Sequence, residues 1–387
     1  MTAAQATVPD AAGPGPGPAP APAGAGEGSP APSGAGSSAA ARRSRRGLRA
    51  AIAAGALTAA LLAVVLVSAS LGQFSTTPAQ VIESIGRVLF GGADPLQNRV
   101  DAALWTIRFP RALLALLVGA CLAVAGTVMQ GLFANPLAEP SIIGVSSGAS
   151  VGACVAIVFG FSAAAPWTLP AAAFAGALVI TGVVWALSRS GGRAVVLTLV
   201  LTGIAINAVA GAATSFLVFM GDTSSREQII FWQMGTLSGA TWEGVGVTAA
   251  VFALGFIGCL TLRSRLDVLA LGDRSAAASG IAVEKLRVVA ILLVCFMTGV
   301  AVAFAGVIAF VGLIVPHALR LIVGPSHRYL VPLSALGGAV LLGLADIAAR
   351  TVILFGDLPV GIFTALVGGP LFLVLLRRTL KRPGAAA

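Results

Sequence analysis

Ten apolar runs, most of them as long as a membrane-spanning helix, divide the chain between residues 48 and 376. The hydrocarbon core of a bilayer is roughly 30 Å thick, and a helix needs about 20 apolar residues to cross it. The sequence therefore predicts an all-α, polytopic membrane protein with about ten transmembrane helices. The predicted spans are 48–70, 110–132, 141–161, 167–188, 194–219, 244–262, 288–309, 310–324, 331–352 and 360–376.

Charged residues are too scarce to cover a water-facing surface. They make up 10% of the 387 residues, whereas soluble domains carry about 25%. The formal net charge of +10 comes from Lys and Arg that flank the apolar runs. We therefore expect these basic residues to face membrane lipid headgroups and water at the ends of the helices, and we expect no nucleic-acid partner.

The positions of the basic residues predict the orientation of the chain, because loops with an excess of Lys and Arg stay in the cytoplasm. One topology places all of them inside except Arg87, Arg99, Arg108, Arg111, Arg226 and Arg350. Residues 1–47 then form a cytoplasmic tail, rich in Ala, Pro and Gly, with a basic flank. Such a composition predicts disorder. The transmembrane domain covers 48–380, and 381–387 form a cytoplasmic C-terminal tail.

Residues that could support covalent chemistry are few. No GxxxxGK[ST] pattern occurs, so we expect no ATP hydrolysis by this chain. Two histidines are too few for a metal site, and the four cysteines lie inside apolar runs. Asp346 and Arg350, four residues apart, can pair on one helix face. A membrane enzyme would depend on this pair, and a secondary transporter would need more acidic residues at mid-membrane. We expect no catalytic residue and no bound cofactor.

A polar segment, residues 264–287, interrupts the apolar runs and contains the sequence LALGDRSAAASGI at 269–281. Asp273 is placed to cap a short Ala-rich helix, Gly272 permits a sharp turn before it, and Gly280 can end it. The alternative is a solvated loop between two spans.

A second polar feature lies at the predicted outer end of the second span. Arg108 and Arg111 stand on either side of Pro110, which favours the first turn of a helix. Their planar guanidinium groups suit carboxylates of a partner. Anchoring at the membrane interface is the alternative reading.

Four stretches of the sequence resemble the FecCD-type permeases of ABC importers. They are IRFPRALLALLVGACLAVAGTVMQGLFANPLAEPSIIGVSSGAS (107–150), LALGDRSAAASGI (269–281), AGVIAFVGLIVPHALRLIVGPSHRYLVPLSALGGAVLLGLADIAAR (305–350) and DLPVGIFTALVGGPLFLVLLRR (357–378). The resemblance covers about residues 48–380.

This resemblance implies a non-catalytic transport subunit in the cytoplasmic membrane. Its implied partners are a cytoplasmic ABC ATPase dimer that uses ATP, an extracytoplasmic substrate-binding protein, and a second permease subunit, identical or paralogous. The implied substrate is an iron(III)-siderophore, with cobalamin or haem as the alternative.

The resemblance also assigns roles to particular residues. The ATPase-coupling loop maps onto Leu271, Gly272, Asp273, Arg274, Ala277 and Gly280. Docking of the binding protein maps onto Arg108, Arg111 and Arg350. A cytoplasmic gate maps onto Arg193, Val195, Val196 and Leu197, which are more apolar than the polar gates of some members.

Overall fold

The computed structural model describes residues 35–72, 76–190, 193–194, 196–353 and 356–380. The chain divides into two units between Arg43 and Ser44, and the fold described below is that of the second unit. Most of the tail predicted to be disordered, residues 1–34, lies outside the described residues, as does the C-terminal tail 381–387.

Helices make up nearly all of the described structure. In chain order they are α1 (Ala35–Ser70), α2 (Pro78–Ile85), α3 (Arg99–Ala103), α4 (Phe109–Leu132), α5 (Val145–Val158), α6 (Thr168–Leu187), α7 (Val196–Met220), α8 (Thr223–Gln233), α9 (Trp242–Leu269), α10 (Asp273–Ala278), α11 (Val283–Ala305), α12 (Val311–Val323), α13 (His327–Thr351) and α14 (Val360–Leu380). Two antiparallel two-residue strands, β1 (Arg189–Ser190) and β2 (Arg193–Ala194), join α6 to α7.

The ten predicted spans correspond to ten apolar helices. Seven described helical stretches are long and apolar enough to cross a membrane, and the second of them runs unbroken from Arg99 to Leu132. Three more apolar helices are shorter: α5, α12 and the apolar part of α14. At 1.5 Å per residue α5 and α12 are only about 20 Å long. The sequence predicted the shortness of the eighth span but not that of the third.

Two predicted boundaries differ from the structure. The helix α1 begins at Ala35, so residues 35–47 are helical rather than part of a disordered tail. The polar break is also shorter than 264–287, because α9 continues to Leu269 and α11 begins at Val283. Arg265 and Asp267, which were predicted to lie in this break, therefore lie on the last turns of α9.

The helix α4 lies at the centre of the bundle. In the apolar window of the stretch Arg99–Leu132, 83% of the residues are buried, against 11% for Ser44–Ser70 and 17% for α7. Glycines allow α13 to approach α4 closely. A Cβ atom added to Gly119 would lie 2.2 Å from the carbonyl oxygen of Gly338, and one added to Gly338 would lie 2.1 Å from that of Gly119. Small residues of this kind let membrane helices pack backbone against backbone.

Candidate functional site

Five charged side chains meet at one end of the bundle and are called here the arginine cluster: Arg108, Arg111, Asp346, Arg350 and Asp357. Arg111 Nε donates to Asp346 Oδ1 at 2.9 Å, and its Nη1 donates to Asp357 Oδ2 at 2.6 Å. Arg350 Nε lies 3.1 Å from Asp346 Oδ2, one helical turn away on α13. The predicted pairing of Asp346 with Arg350 is therefore confirmed, and Arg111 joins it from α4.

The other contacts of the cluster reach the end of α1. Arg108 Nη1 donates to Ala69 O at 2.7 Å and to Thr76 Oγ1 at 2.6 Å. Arg350 Nη2 donates to Ser68 Oγ at 2.8 Å. Arg108 and Arg111 are only 6% and 8% exposed. The structure thus brings the three predicted docking arginines together, but their side chains make internal contacts instead of projecting outwards.

A cavity of about 330 Å³ lies against the arginine cluster. Arg108, Arg111, Arg350 and Asp357 form its polar wall, and Gly72, Ala103 and Ile107 complete the lining. Three guanidinium groups and one partly exposed carboxylate therefore border a space that could receive a polar group from another molecule.

The short helix α10 lies at the opposite end of α13 from this cluster, between α9 and α11. The prediction of a short helix here is confirmed. Gly272 precedes it directly, and Gly280 follows its C-terminal cap residue Ser279. Both glycines adopt conformations that other residues rarely adopt, since Gly272 has φ 105° and Gly280 has φ 79°. All six residues predicted for the coupling loop are exposed, and Leu271 is 75% exposed.

The predicted capping role of Asp273 is wrong. Gly272 occupies the cap position, and Asp273 is the first residue of α10. Its carboxylate instead accepts two hydrogen bonds from Arg287 Nη2 on α11, at 2.8 and 2.9 Å. Ala276 is fully buried on the inner face of α10. These contacts hold α10 against the bundle, beside a cavity of about 500 Å³ that Asp273, Arg274 and Ala277 help to line.

The predicted gate residues lie where α7 begins. Arg193 belongs to β2, Val196 is the first residue of α7, and Leu197 is 66% exposed. Val195 lies outside the described residues.

Sequence reasoning missed a contact between the last turn of α9 and the first turn of α13. Asp267 Oδ1 accepts from the backbone N–H of His327 at 2.7 Å and lies 2.6 Å from His327 Nδ1. Asp267 Oδ2 accepts from Ser326 Oγ at 2.9 Å. The only signal was an acidic residue at the end of one apolar run and a Ser-His pair at the start of another, which no local pattern connects.

No group of three or more His, Cys, Asp or Glu side chains is arranged to hold a metal ion in the part of the chain that the structure describes. Cys121, Cys154, Cys259 and Cys295 are buried, free thiols.

Known proteins are similar to this chain in sequence and in fold. Residues 60–378 match the FecCD transport family. The cobalamin import system permease protein BtuC of Halobacterium salinarum is 42% identical over 308 residues, which cover 78% of this chain and 79% of that protein. The hemin transport system permease protein HmuU of Yersinia pestis is 42% identical over 290 residues, covering 73% of this chain and 86% of that protein.

Among solved structures, a metal-chelate type ABC transporter in an inward-facing conformation superposes with a TM-score of 0.74 and 34% sequence identity. The match covers 84% of this chain and 99% of that one. Family, relatives and fold agree over most of the membrane domain. The chain therefore belongs to the FecCD transport family of ABC importer permeases.

Proposed function

We propose that this chain forms, with a second permease subunit, the membrane path of an ABC importer for a metal chelate. The observation that carries the proposal is the helix α10, an exposed element held by Arg287 at the end of the bundle opposite the arginine cluster. An external motor could act on α10 while a binding protein acts on the other end. If both partners favour the same conformational change of the permease, ATP hydrolysis by the motor is coupled to the action of the binding protein.

The proposed ATPase contact is the surface of α10 and its two flanking turns. Leu271, Arg274 and Ala277 present one apolar, one cationic and one small side chain to solvent. Because Asp273 is tied to Arg287, α10 can transmit a push to α11 as a rigid element. On this proposal α10 lies in the cytoplasm, the chain spans the cytoplasmic membrane with both termini inside, and Arg193, Val195, Val196 and Leu197 form the cytoplasmic gate.

The proposed docking site for the substrate-binding protein is the cavity beside the arginine cluster. Arg111 already pairs with two carboxylates. Arg108 and Arg350 also donate to neutral oxygen atoms at or near the end of α1, and a carboxylate of the partner could replace these neutral acceptors. Charge attraction of this kind mainly speeds the encounter of the partners and is weakened by salt.

The docking proposal is tested by charge reversal. Arg108→Glu should weaken capture of the loaded binding protein by purified permease–ATPase complex at low ionic strength. Arg99→Glu is the matched control, since Arg99 is an exposed arginine near the same end of the bundle. Equal capture by both variants, at equal amounts of assembled complex, would contradict a docking role for Arg108.

The substrate is proposed at the level of a metal chelate. A ferric siderophore, predicted from the sequence, and the cobalamin and haem named for the relatives are equal candidates. Uptake of each labelled chelate should be compared in a strain that lacks this permease and in the same strain with the gene restored. The substrate is the chelate whose ATP-dependent uptake returns; if none returns, the metal-chelate proposal is wrong.

A further inference from the structure

The last turn of α9 holds the first turn of α13 through a single carboxylate. The carboxylate of Asp267 accepts hydrogen bonds from the backbone N–H of His327 and from the hydroxyl of Ser326, and it is within hydrogen-bond distance of the imidazole Nδ1 of His327. A side-chain oxygen commonly satisfies the free N–H groups at a helix start, and negative charge is favourable there. Here that oxygen comes from another helix, about 60 residues away in sequence, so the cap also joins two helices.

The imidazole ring of His327 is fixed on its other side by α4. His327 is fully buried, and its Nε2 has no hydrogen-bond partner among the described residues. A Cβ added to Gly131 would lie 2.3 Å from this Nε2, so the missing side chain of Gly131 is what leaves room for the ring. Asp267 and His327 therefore connect α9, α13 and α4 at one point, called here the α9–α13 joint.

From this joint, α13 and α4 run together to the arginine cluster. Thr127 Oγ1 on α4 donates to Ser334 Oγ on α13 at 2.8 Å. Further along, Gly119 and Gly338 bring the two backbones into contact. At the far end Arg111 on α4 pairs with Asp346 on α13. Two buried polar pairs and one backbone contact between them therefore hold α4 and α13 together along their length, so that neither helix can easily slide along the other.

The joint also lies close to α10. Only Ala270, Leu271 and Gly272 separate the end of α9 from Asp273, the first residue of α10. A displacement of α10 therefore reaches Asp267 through a short tether and the end of one continuous helix.

We propose that Asp267 and His327 are positioning residues for transport, because their joint makes α10 and the α4–α13 pair move as one body. The inference rests on the proposed function, in which an ATPase acts on α10. Movement imposed at α10 then shifts α13 along its whole length and changes the arginine cluster at the other end. Without the joint, α10 would move with α9 and α11 but not with the α4–α13 pair, and ATP turnover would no longer drive import.

The first test measures ATP hydrolysed per chelate imported in proteoliposomes. Asp267→Ala should raise this ratio about fivefold or more, within the ordinary range of coupling between two sites. Asp267→Asn should restore the ratio, because its amide oxygen can still accept from His327. Asp222→Ala is the matched control: Asp222 caps its own helix α8 by accepting from the backbone N–H of Ser225, and among the described residues it bonds to no second helix.

A second variant reaches the joint from α4. Gly131→Ala should displace the His327 ring and raise the same ratio. Gly182→Ala, at a helical position with no atom near the added Cβ, should leave it unchanged. If assembled complexes of both Asp267→Ala and Gly131→Ala hydrolyse as much ATP per imported chelate as the parent complex, the proposal is wrong.

A distance measurement does not depend on transport activity. In a variant without the four native cysteines, spin labels at Ser279→Cys and Arg328→Cys report the separation of α10 from α13. Pulsed electron paramagnetic resonance should give the same distance between the two labels with and without ATP. Asp267→Ala should broaden or shift the distribution of this distance. A distance that changes with ATP in the parent, or that Asp267→Ala leaves unaltered, contradicts motion as one body.

The two proposals fail in different ways. If the parent complex imports no chelate with ATP, the proposed function is wrong. If the parent imports normally and the joint variants keep normal coupling and normal label distances, only the joint is wrong.

Discussion

Arg111 places one guanidinium between two carboxylates of very different exposure. The side chain of Asp346 is 1% exposed, and that of Asp357 is 45% exposed. A buried charge that loses its partner keeps its full desolvation penalty, whereas water screens a charge at the surface. The two aspartates should therefore contribute very differently to stability, although they contact the same arginine.

Asp346→Ala should lower the free energy of unfolding by about 3–5 kcal/mol, because Arg111 and Arg350 would stay buried without their shared carboxylate. Asp357→Ala, the matched control, should cost about 1 kcal/mol or less. Unfolding titrations in detergent micelles measure both. Similar losses in the two variants would contradict the difference in burial.

At the scale of elements, the contact between α4 and α13 depends on the absence of side chains. Neither Gly119 nor Gly338 leaves space for a Cβ atom, because each faces a backbone carbonyl that cannot move without moving its helix. Gly182, also helical, has nothing within 4 Å of an added Cβ. The same substitution should therefore have opposite effects at these positions.

Gly119→Ala should destabilise the protein by about 1–3 kcal/mol, the usual cost of forcing extra atoms into a packed contact. Gly182→Ala should be neutral or stabilising by up to about 1 kcal/mol, since alanine restricts the unfolded chain and favours a helix. The midpoint of thermal unfolding in one detergent compares the two. A stable Gly119→Ala variant would show that α4 and α13 can separate at no cost.

Gly272 and Gly280, at the two ends of α10, affect the structure through their backbone conformations rather than through close packing. Nothing lies within 4 Å of a Cβ added to Gly272 or Gly280, so crowding is no obstacle at either position. A side chain is disfavoured at these positions because L-residues seldom adopt positive φ angles. Asn tolerates the left-handed conformation of Gly280, whereas Gly272, with φ 105° and ψ 156°, lies in a region that is essentially restricted to glycine.

Gly280→Val should disturb the end of α10 and lower the chelate imported per ATP. Gly280→Asn should keep normal coupling, because Asn tolerates the left-handed conformation found at Gly280. Both variants add a side chain at the same exposed place, so equal effects would indicate that crowding, rather than backbone conformation, is responsible. Transport and ATP hydrolysis are measured on the same proteoliposomes.

At the scale of the whole molecule, two polar sites lie at opposite ends of a mainly apolar bundle. The arginine cluster joins α1, α4 and α13 at one end, and the α9–α13 joint and α10 lie at the other. The described spans hold few buried acidic residues apart from Asp346, which Arg111 and Arg350 already engage. On the proposed function, this arrangement would transmit a motion from one end of the bundle to the other.

Import should therefore follow ATP and not the proton gradient. In proteoliposomes with the binding protein outside, uptake should stop when the phosphate-binding lysine of the ATPase is replaced. An uncoupler that collapses the proton gradient should leave uptake unchanged, in parallel with a control that confirms the collapse. Uptake that persists without ATP and responds to the gradient would exclude an ABC importer.

Much of the fold could be predicted because the membrane imposes it. Apolar length is a local property, and it located all ten apolar helices. The Ala-rich run between Gly272 and Gly280 is also local, and it located the short helix that begins at Asp273. The shared contact of Asp346 and Arg350 was also predictable, because residues one turn apart on a helix face meet whatever surrounds them. The start of α1 at Ala35 was missed because the Ala- and Ser-rich sequence before the basic flank favours neither a helix nor a disordered segment strongly.

The roles of individual charges could not be predicted, because they depend on contacts between residues far apart in sequence. Local pattern assigned Asp273 to a cap and Arg111 to an outward-facing site, but packing brought Arg287 to Asp273 and Asp346 to Arg111. The sequence alone determined an all-helical membrane protein, since every backbone polar group in lipid must be satisfied within its own helix. Only the tertiary structure decided that Asp267 meets His327, because helix packing chooses among distant partners that no local rule connects.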